Sequence, residues 1–121
     1  MRPTALLIHV PDIEKGIAWY KKAFPDAIQK RLIEFDFTVL VIDDFQIEVV
    51  QADEKVGSGK KGTVLYWAVD NIDAERSRLE KLGAKLYRGP MTIEDGLVMC
   101  QLEDPFGNLI GLRGPSPSTV S

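Results

Sequence analysis

Cysteine and histidine are nearly missing from this chain, each occurring once in 121 residues, as Cys100 and His9. One cysteine excludes an internal disulfide framework and any multi-cysteine zinc site. One histidine excludes a two-histidine iron or zinc site within a single chain. Aromatic residues make up only 8%, and no apolar stretch approaches the roughly 20 residues that a membrane-spanning helix needs. The N-terminus has neither the basic region nor the apolar segment of a signal peptide, so a soluble cytoplasmic protein is the expectation. An excess of positive charge is also lacking, with 15 Lys and Arg against 18 Asp and Glu. The formal net charge of -3 argues against a nucleic-acid partner, since phosphate binding needs a basic surface, and the lack of a spanning segment argues against a membrane partner.

What is present is a repeat. The stretch Leu102-Glu103-Asp104-Pro105-Phe106-Gly107-Asn108-Leu109-Ile110-Gly111-Leu112 has a weaker copy at Ile42-Asp43-Asp44-Phe45-Gln46-Ile47-Glu48-Val49. In each, an apolar run meets acidic residues, turns near a phenylalanine and resumes as a second apolar run, the pattern of a β-hairpin. Proline presets φ, glycine accepts φ > 0, and Asp and Asn side chains bond nearby backbone, so Asp-Pro-Phe-Gly-Asn is a turn with a mechanism. Upstream of each hairpin the same order returns. The apolar run Ala5–Val10 precedes Pro11-Asp12 and a helical stretch at about 13–24; the apolar run 64–69 precedes Asp70-Asn71 and a helical stretch at about 72–82. Aligning Val10 with Val69 and Phe45 with Phe106 gives offsets of 59 and 61 residues, steady enough to indicate duplication.

Asp12 is a good N-cap for the first helix, Ile13, Gly16, Ile17, Tyr20 and Phe24 recur at spacings of three and four, and Pro25 stops it. In the second helix Asn71 or Asp70 caps, Ile72, Leu79 and Leu82 form the apolar stripe, and Gly83 ends it. At least one of Trp19 and Tyr20 belongs to the core. The segments 28–37 and 85–88 add a further strand to each half, so the unit reads β-α-β-β-β, twice. The expectation is one α+β domain: module one at about 1–52, a Gly-rich linker at about 53–62 in which Lys60 and Lys61 are solvated, module two at about 63–114, and a tail at 115–121. Cys100 lies in the apolar strand pattern Val98-Met99-Cys100-Gln101-Leu102, which points to a buried, inert thiol.

Val10-Pro11-Asp12, the helix with Trp19-Tyr20, Val69-Asp70 and Asp104-Pro105-Phe106-Gly107-Asn108, in this order and at this spacing, resemble the vicinal oxygen chelate superfamily of glyoxalases, bleomycin-resistance proteins and extradiol dioxygenases. The resemblance implies two tandem βαβββ modules forming an incompletely closed, cup-shaped sheet around a ligand cavity, often in a homodimer. It also implies four convergent metal ligands in the metal-dependent members. Carried onto this chain by the local motifs, those positions are Ala5, Glu48, Val64 (or Thr63 with a one-residue bulge) and Gly111. Only Glu48 offers a donor, so neither a metal nor another cofactor is expected.

Strand alternation then groups Ala5, Leu7 and His9; Gln46, Glu48 and Val50; Val64, Tyr66 and Ala68; and Leu109, Gly111 and Arg113 on common faces. If the family's ligand positions mark the inner face, His9, Gln46, Glu48, Tyr66 and Arg113 are available to a guest. By the same resemblance Met99 and Gln101 line it, with Cys100 turned towards a helix. Two functions fit. One is metal-free binding of a small, often cationic or aromatic molecule in the cup. The other is a lyase, isomerase or dioxygenase that uses Glu48 or His9 as a base, or an unconventional metal site. The missing ligands favour binding.

Overall fold

The computed structural model describes residues 1–117; the remainder of the tail expected at 115–121 lies outside the described residues. The chain divides into two compact units, 1–58 and 59–121, and the division falls inside the Gly-rich segment.

The first unit runs β1 (Ala5–Val10), α1 (Ile13–Ala23), β2 (Ile28–Leu32), β3 (Phe37–Ile42) and β4 (Phe45–Gln51). Its four-stranded sheet has the order β1-β4-β3-β2, with β1 parallel to β4 and the other pairs antiparallel. The second unit repeats the plan with β5 (Tyr66–Ala68), α2 (Ile72–Lys81), β6 (Lys85–Thr92), β7 (Val98–Glu103) and β8 (Leu109–Gly114), in the order β5-β8-β7-β6. The fold is therefore α+β, with two tandem βαβββ modules whose sheets do not close into a barrel. Among the described residues no helix is long and apolar enough to cross a membrane.

Local chemistry explains both helices. The Asp12 side chain accepts from the Lys15 backbone N–H at 3.1 Å and Asn71 does the same for Ala74 at 3.1 Å, satisfying donors that the first turn leaves open. Gly16 lets α1 press onto its sheet: a Cβ there would stand 2.7 Å from Val49 Cγ1 and 2.9 Å from Val10 Cγ2. Tyr20 is buried below α1, its ring stacked on Phe24 at 6.2 Å and edge-on to Trp19 at 4.9 Å. Beneath it lie Ile8, Val10, Leu40, Ile47 and Val49, all buried.

Three boundaries differ from the sequence reading. The expected strand over 28–37 is broken at Ile33–Phe35 by a short 3-10 turn that ends on Asp36 at φ 49°. The regular part of β5 is only three residues long, although Leu65 O and Val69 N extend its ladder to Gly111 N and Arg113 O. In the other direction, β6 runs four residues past Arg88 through two register shifts.

The two hairpins also align differently. Ile42 pairs with Phe45 across a two-residue turn on Asp43, at φ 53°, and Asp44. In the second hairpin the corresponding rung is Asp104 with Asn108, joined by a backbone bond of 2.8 Å, which leaves three residues in the turn. Phe45 thus matches Asn108, while Phe106 sits on the extra-long turn and has no counterpart. Asp104, 3% exposed, holds that turn by accepting from the backbone N–H of Phe106 (2.8 Å) and Asn108 (2.9 Å).

Candidate functional site: an open sheet face in each unit

In the first unit the parallel register pairs Ala5 with Gln46, Leu7 with Glu48 and His9 with Val50, so these six side chains share one face. The opposite face carries the buried Ile8, Val10, Ile47 and Val49 beneath α1. The shared face is open: Leu7 is 51% exposed and the other five are half-buried. Glu48 makes no hydrogen bond or ion pair among the described residues. Nearby, the Asp53 carboxylate accepts the backbone N–H groups of Val56 (2.8 Å) and Lys55 (2.9 Å). These bonds, with a smaller contribution from the His9 charge, hold it below the usual carboxylate range. The His9 carbonyl accepts from Ser58 Oγ at 2.6 Å.

The second unit gathers more. Tyr66 pairs with Gly111 and Gly111 with Gln101, so the three stand side by side across β5, β8 and β7. The absent side chain at Gly111 makes room for the Tyr66 ring; a Cβ there would lie 2.7 Å from Tyr66 Cδ1 and 2.8 Å from Cγ. Lying across that gap, Tyr66 accepts a hydrogen bond from Gln101 Nε2 at 2.6 Å, and the Arg113 guanidinium covers its ring at 4.8 Å from the centroid. On the other side of Gln101 stands Arg88, and the neighbouring rung pairs Met91 with Met99.

A cavity of about 380 Å³ opens on this face. Val64, Tyr87, Met91, Met99 and Leu109 supply its apolar wall; Lys60, Arg88 and Gln101 supply its polar groups. Lys60 is 3.2 Å from Glu103 and 5.7 Å from the centroid of the Tyr87 ring. Cys100 points the opposite way, fully buried on the α2 side, and burial pushes its thiol above the usual value of 9.0. It is no nucleophile for this cavity.

The sequence reading puts His9, Gln46, Glu48, Tyr66, Met99, Gln101 and Arg113 together on the inner face of one cup. The first three share the open face of their sheet, and the other four lie on the open face of theirs. It missed Arg88, Tyr87 and Met91, and it treated Lys60 as simply solvated. Tyr87, Arg88 and Met91 lie on the part of β6 that shifts register twice against β7. Gly89 adopts φ +85°, and a Cβ on it would meet the Met99 carbonyl oxygen at 2.7 Å. In the sequence, Gly89-Pro90 inside a strand pattern is the signal of such a bulge.

The donor set does not fit a divalent cation. Of the four inherited positions Ala5, Glu48, Val64 and Gly111, one is a carboxylate, Val64 is part of the apolar cavity wall, and the space at Gly111 holds the Tyr66 ring. Among the described residues no three His, Cys, Asp or Glu side chains gather into another possible site.

The comparisons agree with this architecture. No curated protein matches the chain. An antibiotic binding protein, TnmS3 from Streptomyces sp. CB03234, is similar in structure at 23% identity and a TM-score of 0.70, over 96% of this chain and 97% of its own. The fosfomycin resistance protein FosX from Mesorhizobium loti is similar at 17% identity and 0.69, over 98% and 94%. A glyoxalase/bleomycin resistance protein/dioxygenase family enzyme from Burkholderia phytofirmans PsJN is similar at 20% identity and 0.71, over 92% and 96%. At these identities the likeness is one of fold. The family model for the glyoxalase/bleomycin resistance protein/dioxygenase superfamily matches residues 2–112, and the chain belongs to that superfamily.

Proposed function

We propose that this protein binds a small organic molecule on these open sheet faces without a metal. One observation carries the reading: the second unit has an open cavity of about 380 Å³ in which the side chains of Val64, Tyr87, Met91, Met99 and Leu109 stand beside the polar Lys60, Arg88 and Gln101, so that a small molecule finds both apolar contact and polar groups to orient it. The ring of Tyr66 over Gly111 supports the metal-free part, because it fills the space that a fourth ligand needs. A binding role is also what TnmS3 is described as having, and carrying it here is part of the proposal. On the first unit's face the proposed contacts are His9, Gln46 and Glu48; on the second unit's face they are Tyr66, Met99, Gln101 and Arg113.

A second reading has one observation in its favour. Glu48 is a half-buried carboxylate with no hydrogen bond or ion pair among the described residues, as a general base awaiting its substrate would be. It would make the protein a lyase, isomerase or dioxygenase of the same superfamily. His9 is the other candidate base.

The proposal includes a homodimer acting in the cytoplasm. The exposed Ile28 on the edge strand β2, with Ile33 and Phe35 in the 3-10 turn that follows it, supports the assembly, since open edges with apolar side chains are commonly covered. The single cysteine suits a reducing compartment, and the net charge of -3 disfavours nucleic acid as a partner.

Native mass spectrometry of protein purified without a tag and dialysed against chelator tests the reading. We expect a non-covalent organic adduct that survives the chelator and is lost on denaturation. A stoichiometric transition metal, bound before chelation and lost with Glu48→Gln, would overturn it.

A further inference from the structure

We propose that the guest of the second unit's cavity is a small carboxylic acid with an apolar or aromatic body, its carboxylate held by Arg88; this rests on the small-molecule reading above. The charges on the cavity wall lead to the anion. Lys60 and Arg88 are its two ionised groups, and no carboxylate faces them from the lining. Lys60 is already compensated by Glu103 at 3.2 Å. Arg88 is exposed and makes no side-chain hydrogen bond or ion pair among the described residues, so its charge and all five of its N–H donors are unused. A guanidinium matches a carboxylate with two parallel bonds, which an ammonium cannot do.

The register of β6 against β7 gives the rest of the guest. Arg88 stands beside Gln101, and Met91 beside Met99, two residues along β7 on the same face. Two residues of strand span about 7 Å. A guest whose carboxylate lies on Arg88 therefore has its body over the methionine pair when the two are separated by about that distance. Both methionines are flexible and polarisable, and thioethers pack well against aromatic rings. Gln101, whose Nε2 donates to Tyr66, keeps its carbonyl and one N–H for a substituent between the two ends.

Isothermal titration with three probes of one shape separates the possibilities: 3-phenylpropanoate, its neutral amide, and 3-phenylpropylamine. We expect the acid to bind, the amide to bind at least tenfold more weakly, and the amine to give no signal. Arg88→Gln should weaken the acid at least tenfold and leave the amide unchanged; Arg88→Lys, which keeps the charge but loses the paired bonds, should fall between. Circular dichroism checks that both variants are folded. Equal affinity for acid, amide and amine, or an acid affinity indifferent to Arg88→Gln, overturns the carboxylate assignment and leaves the small-molecule reading standing. No binding by any of the three overturns the assignment, and the small-molecule reading falls with it if native mass spectrometry also finds no adduct.

Discussion

Gly111→Ala tests how the second unit's face is built. The added Cβ would stand 2.7 Å from Tyr66 Cδ1, 2.8 Å from Cγ and 2.9 Å from the Leu65 carbonyl oxygen. Carbon atoms pack best at about 3.5–4.0 Å, so the ring must retreat by close to 1 Å. That retreat stretches the 2.6 Å bond from Gln101 and lifts the ring away from Arg113. Overpacking of this kind costs about 1–3 kcal/mol. Replacing a strand glycine returns about 0.5–1 kcal/mol through lost unfolded-state freedom. The net expectation is a loss of about 0.5–2 kcal/mol.

In a Tyr66→Ala background the ring is gone and only the contact with Leu65 O remains, so Gly111→Ala should approach neutrality there. Urea denaturation of the four proteins, closed as a double-mutant cycle, reads the coupling directly, and about 1 kcal/mol is expected. A neutral or stabilising Gly111→Ala in the parent, or the same penalty in both backgrounds, would refute the idea that Tyr66 occupies the place of a side chain at Gly111.

Three further outcomes follow from the same contacts. Glu48→Gln should shift unfolding stability by less than about 0.5 kcal/mol, because the carboxylate has no partner to lose; a clear destabilisation in a urea titration would make it a structural residue. Asp104→Ala should cost about 2–3 kcal/mol, since it strands the N–H groups of Phe106 and Asn108 in a turn where Asp104 is only 3% exposed, and a change under about 0.5 kcal/mol would contradict this. Cys100 should resist iodoacetamide at pH 8 in the native protein and react on unfolding. Because burial raises its folded pKa above 9.0, its contribution is present below the unfolded thiol's pKa and is lost as pH rises through the folded value. Fast native alkylation at pH 8 would place the thiol at the surface.

The fold was legible where local chemistry decides it. Asp12 and Asn71 mark both helix starts, and the 3.6-residue stripe puts Tyr20, Ile72 and Leu79 into the core. The two faces of the first sheet were legible too, because alternation in a strand leaves two choices and the apolar set Ile8, Val10, Ile47 and Val49 takes one of them. What stayed hidden depends on more than one strand at once. The match of Phe45 to Phe106 failed because the second turn is one residue longer, and a shared residue type says nothing about rung number. The bulge between Arg88 and Met91 depends on backbone at Gly89 meeting backbone at Met99. Gly111 looked like a missing ligand in the sequence; in the structure it is the floor under Tyr66.

The central claim is that the second unit's face takes up a small molecule without a metal. The chain has three methionines, so methyl-labelled protein gives three signals: Met91 and Met99 in the cavity, and Met1, which is fully exposed and outside it. Titrating 3-phenylpropanoate in the presence of chelator should move Met91 and Met99 in a saturable way and leave Met1 in place. Unmoved cavity methyls under chelator, with movement restored by adding a divalent metal, would contradict the account.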